Sequence, residues 1–140
     1  MNVKADRFTF RKSERLCGKK TIEEVYSKGT SKLVFPFRLI WKISESNEDL
    51  APCRILISVP KRNFRRANQR NLIKRRIRES YRLSKHELYD ILKIKQVNLD
   101  IALLFISKKE LSFEAIHLAM QNVIRAFDKE ISQASNENQQ

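Results

Sequence analysis

The 140-residue chain has little of what breaks, crosslinks or anchors a fold. It contains two glycines, three prolines and two cysteines. Cys17 and Cys53 form no CxxC pair and have no histidine at ligand spacing, and His86 and His117 stand alone. That argues for reduced, buried or incidental thiols in a cytoplasmic protein, with a disulfide or metal site as the lesser alternative. No run of about 18 apolar residues is present, so nothing reads as a membrane-spanning helix. The opening stretch MNVKADRFTFRKSERLCGKK is charged and lacks the apolar centre of a secretory signal. There is no glycine-rich phosphate loop, no Asp-x-Asp, no HExxH and no G-x-S-x-G. The acidic pairs Glu23–Glu24 and Glu48–Asp49 are adjacent in sequence, so neither pair faces one point from a helix or strand. The chain therefore carries no recognisable catalytic or metal set of its own.

What the chain has in excess is positive charge: 29 Lys and Arg against 16 Asp and Glu, a net +13. With 41% hydrophobic residues this is a globular composition rather than a disordered one, and its length suits one domain. Residues 61–82, KRNFRRANQRNLIKRRIRESYR, hold ten basic residues and one Glu, so nine net charges fall in 22 residues and four in the other 118. Such density repels itself and implies an anionic partner. Arg outnumbers Lys eight to two in this stretch. The guanidinium fork matches two phosphate oxygens, which a lysine point charge does not, so nucleic acid is the expected partner.

Periodicity places this charge. At about 100° per residue, Ile73, Ile77, Tyr81, Ser84 and Leu88 share one face of a helix that starts near Asn68 and runs to His86 or beyond. Asn71, Lys74, Arg75, Arg78, Arg82 and Lys85 form a stripe along its flank, with Arg76 and Glu79 outside that stripe. Before it, TIEEVYSKG predicts a short helix over 21–28, with Thr21 and Glu24 as a capping box and Gly29 at its end. KLVFPFRLIWKIS alternates and predicts one strand in which Leu33, Phe35, Phe37, Leu39, Trp41 and Ile43 share a face, with Pro36 at an edge or bulge. CRILISVP is a second strand. LDIALLFI, over 99–106, reads as a central strand covered on both faces. A last helix begins at Ser112, with Phe113, Ile116, Met120, Val123, Ile124, Phe127 and Ile131 as its apolar stripe. The order is that of an α/β sandwich, a small sheet with packed helices. Residues 1–18 read as a basic N-terminal arm in which Phe8 or Phe10 docks on the body, 19–131 as a single RNA-binding domain, and 132–140 as a disordered polar tail. The basic helix follows a strand rather than lying in a helix-turn-helix, so DNA is not expected. The nearby aromatics Tyr26, Phe37 and Trp41 lean toward single-stranded RNA, whose bases stack, with plain core packing the competing reading of Phe37 and Trp41.

RNLIKRRIRE resembles a known signature. Arg70-Asn71, Lys74-Arg75 and Arg78-Glu79 match the RNxxKRxxRE pattern of the protein subunit of bacterial ribonuclease P, after a strand and Lys61-Arg62. ERLCGKKTIEEVYSKG and FPFRLIW resemble that family's first helix and first strand, and the likeness spans about residues 8–130. Two departures stand out. Phe64 lies where the family commonly has glycine, which leaves the turn at 63–68 open, and Ile22 and Tyr26 replace phenylalanine in the first helix.

The resemblance implies an αβββαβα sandwich with a four-stranded mixed sheet and a left-handed βαβ crossover, as in the second domain of ribosomal protein S5. It also implies a role: supporting removal of the 5′ leader from precursor tRNA, with Mg²⁺ held mainly by a catalytic RNA subunit. By that resemblance Lys61, Arg62, Arg65, Arg66, Arg70, Asn71, Lys74, Arg75 and Arg78 would bind the RNA subunit. Tyr26, Phe37, Phe8, Phe10 and Trp41 would line a cleft for the leader. No membrane partner is implied. The alternative from composition alone is a small basic ribosomal or RNA-assembly protein with no part in hydrolysis; a nuclease acting without RNA is a third reading.

Overall fold

The computed structural model of the chain describes residues 10–138, with side chains to residue 133. After a 3-10 turn at Lys12–Glu14 come α1 (Lys19–Lys28), β1 (Thr30–Val34), β2 (Phe37–Glu45), β3 (Cys53–Ser58), α2 (Ala67–Lys95), β4 (Val97–Phe105) and α3 (Phe113–Asn138). The αβββαβα order is the one the resemblance implies. The sheet order is β1-β2-β4-β3. β1/β2 and β2/β4 are antiparallel, and β3 and β4 are parallel, joined through α2.

One face of the sheet carries Phe37, Leu39 and Trp41 of β2, Cys53 and Ile55 of β3, and Leu99, Ile101, Leu103 and Phe105 of β4, all buried. It packs on α2 and α3 in a single core. On α2 the predicted stripe of Ile73, Ile77, Tyr81, Ser84 and Leu88 is buried throughout. Each large apolar side chain buried there contributes about 1.5–3 kcal/mol. Like charges one turn apart cost only about 0.2–0.5 kcal/mol per pair, so the seam holds the helix despite its basic flank. On α3, Ile116, Met120, Val123, Ile124, Phe127 and Ile131 are buried as their spacing predicts, and Ser112 caps the helix by accepting the Ala115 N–H at 3.2 Å. The opposite sheet face carries Ile40, Ala102 and Leu56, covered by Ile22 and Val25 of α1 and by Leu16. β4 is thus the covered central strand that its unbroken apolar run suggests.

Several local expectations are corrected. KLVFPFRLIWKIS is not one strand but a hairpin: Val34 pairs with Phe37 across a two-residue turn at Phe35 and the cis-bonded Pro36. Leu33 therefore faces Arg38 on the α1 side of the sheet. Leu33 and Phe35 are 60% and 65% exposed rather than part of the core. The alternation ran on through the turn, so it gave no sign of the reversal. The first helix starts at Lys19 with Gly18 at the N-cap, at φ 92°, a backbone region open to glycine; the Thr21–Glu24 capping box does not form. Gly29 does end the helix, and a Cβ there would meet the Val25 carbonyl at 2.2 Å and the Trp41 carbonyl at 2.8 Å. α3 runs past Ile131 to Asn138, through most of the stretch read as a tail. In the arm, the Leu16 N–H donates to the Ile55 carbonyl at 2.9 Å, and Arg15 bridges to Ile55 in parallel register.

Candidate RNA interface

The candidate surface begins where β3 ends. Val59 and Phe64, both buried, bracket the turn of Lys61–Asn63. Phe64, in the place where the resemblance led us to look for glycine, packs against Phe105 with ring centroids 6.0 Å apart. The open turn at 63–68 is thereby anchored from inside. Arg70 fixes it from outside: one guanidinium nitrogen donates to the carbonyls of Phe64 at 2.8 Å and Arg65 at 2.9 Å. Lys61, Arg62, Arg65 and Arg66 are exposed on this braced segment, and Asn71, Arg75 and Arg78 are exposed on the first turns of α2, with Lys74 half-buried among them. A depression of about 530 Å³ opens beside Arg65, Arg66, Asn68 and Gln69.

The ion pairs sort the cations into two groups. Lys32–Glu130, Lys42–Glu24, Arg54–Asp100, Arg76–Glu110, Arg82–Glu79 and Lys85–Glu14 are paired at 2.5–3.3 Å. Among the described residues no carboxylate pairs with Lys61, Arg62, Arg65, Arg66, Arg70, Lys74, Arg75 or Arg78. Two members of the predicted flank leave it. Arg82 is held by Glu79, three residues before it, and Lys85 is buried against Glu14. The open row therefore ends at Arg78.

The aromatic residues do not gather as the resemblance implied. Phe37 and Trp41 are 0% and 4% exposed. Phe37 packs edge-on to Phe105 and Trp41 edge-on to Phe127. They face α2 and α3, away from α1, and cannot stack on a base. Phe8 lies outside the described residues. Phe10 rests edge-on against Tyr81 at 5.6 Å, with the Arg15 guanidinium over its ring. It lines a groove of about 200 Å³ with Arg15, Leu16 and Cys17 of the arm, residues 55–57 of β3, and Arg78. Tyr26 is 45% exposed on α1 and is not part of that groove; partial burial pushes its phenol above the ordinary range, so it stays neutral. Sequence reasoning missed Arg15 as a wall of this groove and assigned Arg78 to the RNA subunit alone. The Arg15-Leu16 pair within the quoted ERLCGKK stretch was the available signal.

Comparison with known proteins decides what this surface belongs to. The sequence matches the Ribonuclease P family over residues 10–129. The chain belongs to the ribonuclease P protein family. It is 39% identical over 114 residues to the ribonuclease P protein component of Porphyromonas gingivalis strain W83, covering 81% of this chain and 82% of that one. A 35-residue segment is 60% identical to the ribonuclease P protein component of Escherichia coli K12. The fold is shared with the ribonuclease P protein of Staphylococcus aureus, at TM-score 0.63 and 24% identity, covering 81% of this chain and 94% of that one. It is shared also with that of Thermotoga maritima, at TM-score 0.61 and 20% identity over 81% of this chain and 96% of that one. The chain is thus the protein component of a ribonucleoprotein endoribonuclease that processes tRNA 5′ leaders, with an RNA partner that carries the catalytic role. A ribosomal or assembly role without hydrolysis is not favoured.

Proposed function

We propose that the unpaired basic row holds the RNA subunit while the arm-side groove and α1 hold the single-stranded leader of precursor tRNA. The sorting of the ion pairs is the observation that carries this reading. Five of the six ion pairs neutralise cations elsewhere on the protein and the sixth holds Arg76, whereas Lys61, Arg62, Arg65, Arg66, Arg70, Lys74, Arg75 and Arg78 of the same segment stay clear of any described carboxylate. A row braced by Phe64 and Arg70 meets backbone phosphates without reorganising. Phosphate contacts position RNA without reading its sequence, which suits an enzyme with many tRNA substrates. Asn71 adds a neutral donor to the row.

Arg78 belongs to both surfaces, closing the row at one end and lining the Phe10 groove. A leader strand in that groove would place phosphates near Arg15 and Arg78, with a base against Phe10; Tyr26 offers a second stacking face on α1. Phe8 extends the aromatic set only on the sequence reading. Among the described residues no group of three His, Cys, Asp or Glu side chains is placed to hold a metal ion. Mg²⁺, as the family resemblance implies, is held mainly by the RNA subunit in this reading. The substrate places the complex in the cytoplasm.

Reconstitution tests the reading. The chain is mixed with the catalytic RNA and a precursor tRNA at low Mg²⁺, where RNA alone is slow. Restored cleavage at the mature 5′ end is expected. Binding with no gain in cleavage, or cleavage without added RNA, overturns it.

A further inference from the structure

A lysine outside the row reaches the same end of the sheet. At the C-terminal ends of the parallel pair β3 and β4, a groove of about 430 Å³ is lined by Pro60, Arg62, Asn63, Ile106 and Lys108. One wall is the turn after β3 and the other is the loop after β4. Both walls are braced. On the first, the Asn63 N–H donates to the Pro60 carbonyl at 3.3 Å, and the adjoining Phe64 is locked against Phe105. On the second, the Ile106 N–H donates to the Pro36 carbonyl at 2.8 Å. Buried Ser107 then closes a tight turn, its hydroxyl donating to the Lys109 carbonyl at 2.8 Å and accepting the Lys109 N–H at 3.1 Å. Lys108 sits at the middle of that turn.

The charge balance of the groove is one-sided. Glu110 is the nearest acid in sequence to Lys108, and Arg76 engages it at 2.8 Å while also donating to the Leu111 carbonyl. Neither Arg62 nor Lys108 is paired with a carboxylate among the described residues. Two cations on separate, braced loops thus open onto one space that holds no protein anion.

We propose that this groove is a phosphate site in its own right, in which Arg62 and Lys108 grip one RNA backbone phosphate from opposite walls and Asn63 adds a neutral donor. The inference rests on the reading of the chain as an RNA binder and extends that surface from one segment to two. The guanidinium supplies a two-bond fork and the ammonium a point charge, a complementary pair for one phosphodiester. The phosphate comes from the RNA subunit or from precursor tRNA, and separate binding arms tell them apart.

The test is a double-mutant cycle. Arg62→Ala, Lys108→Ala and the double variant are titrated against the RNA subunit, and separately, as assembled holoenzyme, against precursor tRNA, over a range of salt. One shared phosphate predicts that each single variant loses on the order of tenfold in the same arm. The double variant then loses little more than the worse single one, and all three flatten the salt slope by about one unit. Lys108→Glu, which places an acid in the groove beside Arg62, loses more than Lys108→Ala. Additive losses with a slope change of about two for the double variant, or no loss for Lys108→Ala, overturn the shared site. Arg75→Ala gauges the row separately. Loss there with none for Lys108→Ala sinks the groove alone, and no loss for either sinks both readings.

Discussion

Lys85 and Glu14, 71 positions apart, form a buried ion pair at 2.5 Å, with side chains only 3% and 8% exposed. The Tyr89 hydroxyl donates to the same carboxylate oxygen, and the Arg11 N–H donates to the other at 2.6 Å. The carboxylate thus ties the N-terminal arm to α2. The arm in turn supplies Phe10, Arg15, Leu16 and Cys17 to the groove beside β3. A basic residue that helical spacing places on the cationic flank of α2 is spent on holding one wall of that groove in place.

Removing one partner leaves the other charge buried and alone, which typically costs about 3–5 kcal/mol, whereas replacing both is near neutral. Glu14→Gln or Lys85→Met should therefore lower the urea midpoint strongly, and the double variant should recover most of the loss. Burial alone would raise the Glu14 pKa, but the bonds from Lys85, Tyr89 and Arg11 and the Lys85 charge outweigh it and hold the carboxyl below its ordinary value of 4.5. A lowered folded pKa means the stabilisation is whole above the ordinary carboxylate range and is lost as pH falls through the folded value. Melting curves below about pH 4.5 should fall less steeply in the double variant than in the wild type.

Arg70 and Arg75 sit in one row but should respond differently. Arg75→Ala removes an exposed charge, and its expected effect is a salt slope flatter by about one unit with unchanged melting. Arg70→Ala also frees the carbonyls of Phe64 and Arg65. It should speed backbone hydrogen exchange over 61–66 and weaken RNA binding more than one phosphate contact explains. Equal exchange rates in both variants would show that Arg70 does not brace the turn.

Phe37→Ala and Trp41→Ala should cost about 3–5 kcal/mol in unfolding free energy, as buried aromatic truncations do. Their effect on leader binding should follow only from that loss. Tyr26→Ala, at an exposed position, should change stability by no more than about 0.5 kcal/mol. It should weaken binding of precursor tRNA with a leader several nucleotides long and spare leaderless tRNA. A loss shared equally by both substrates would remove Tyr26 from the leader path.

Gly29→Ala tests the close approach between the end of α1 and β2. The added methyl would lie 2.2 Å from the Val25 carbonyl and 2.8 Å from that of Trp41, both backbone atoms that cannot swing aside. Overpacking of this kind costs about 1–3 kcal/mol, to be read as a lower thermal midpoint. An unchanged midpoint would mean that α1 shifts freely on the sheet.

The four-stranded αβββαβα order came only through the family resemblance, whereas the buried seam of Ile73, Ile77, Tyr81, Ser84 and Leu88, the stripe of α3 and the cationic run were legible as residue patterns. Each is a local pattern: a helix repeats every 3.6 residues, a basic run needs no partner to be seen, and RNLIKRRIRE lies within ten consecutive residues. Tertiary structure alone decided what each face meets. Period-two alternation is blind to a reversal of direction, so the hairpin at Pro36 stayed hidden; the cleft role of Phe37 and Trp41 came from the family resemblance, and the fold buries both against α2 and α3 instead. α2 has no glycine or proline stop, and its end at the left-handed Gln96 became visible only in the fold. Lys85 meets Glu14, and Lys108 opens onto the groove of Arg62, because packing brings distant segments together. Spacing along the chain tells which residues share a side, but an ion pair or a groove is a property of whatever lies across the gap.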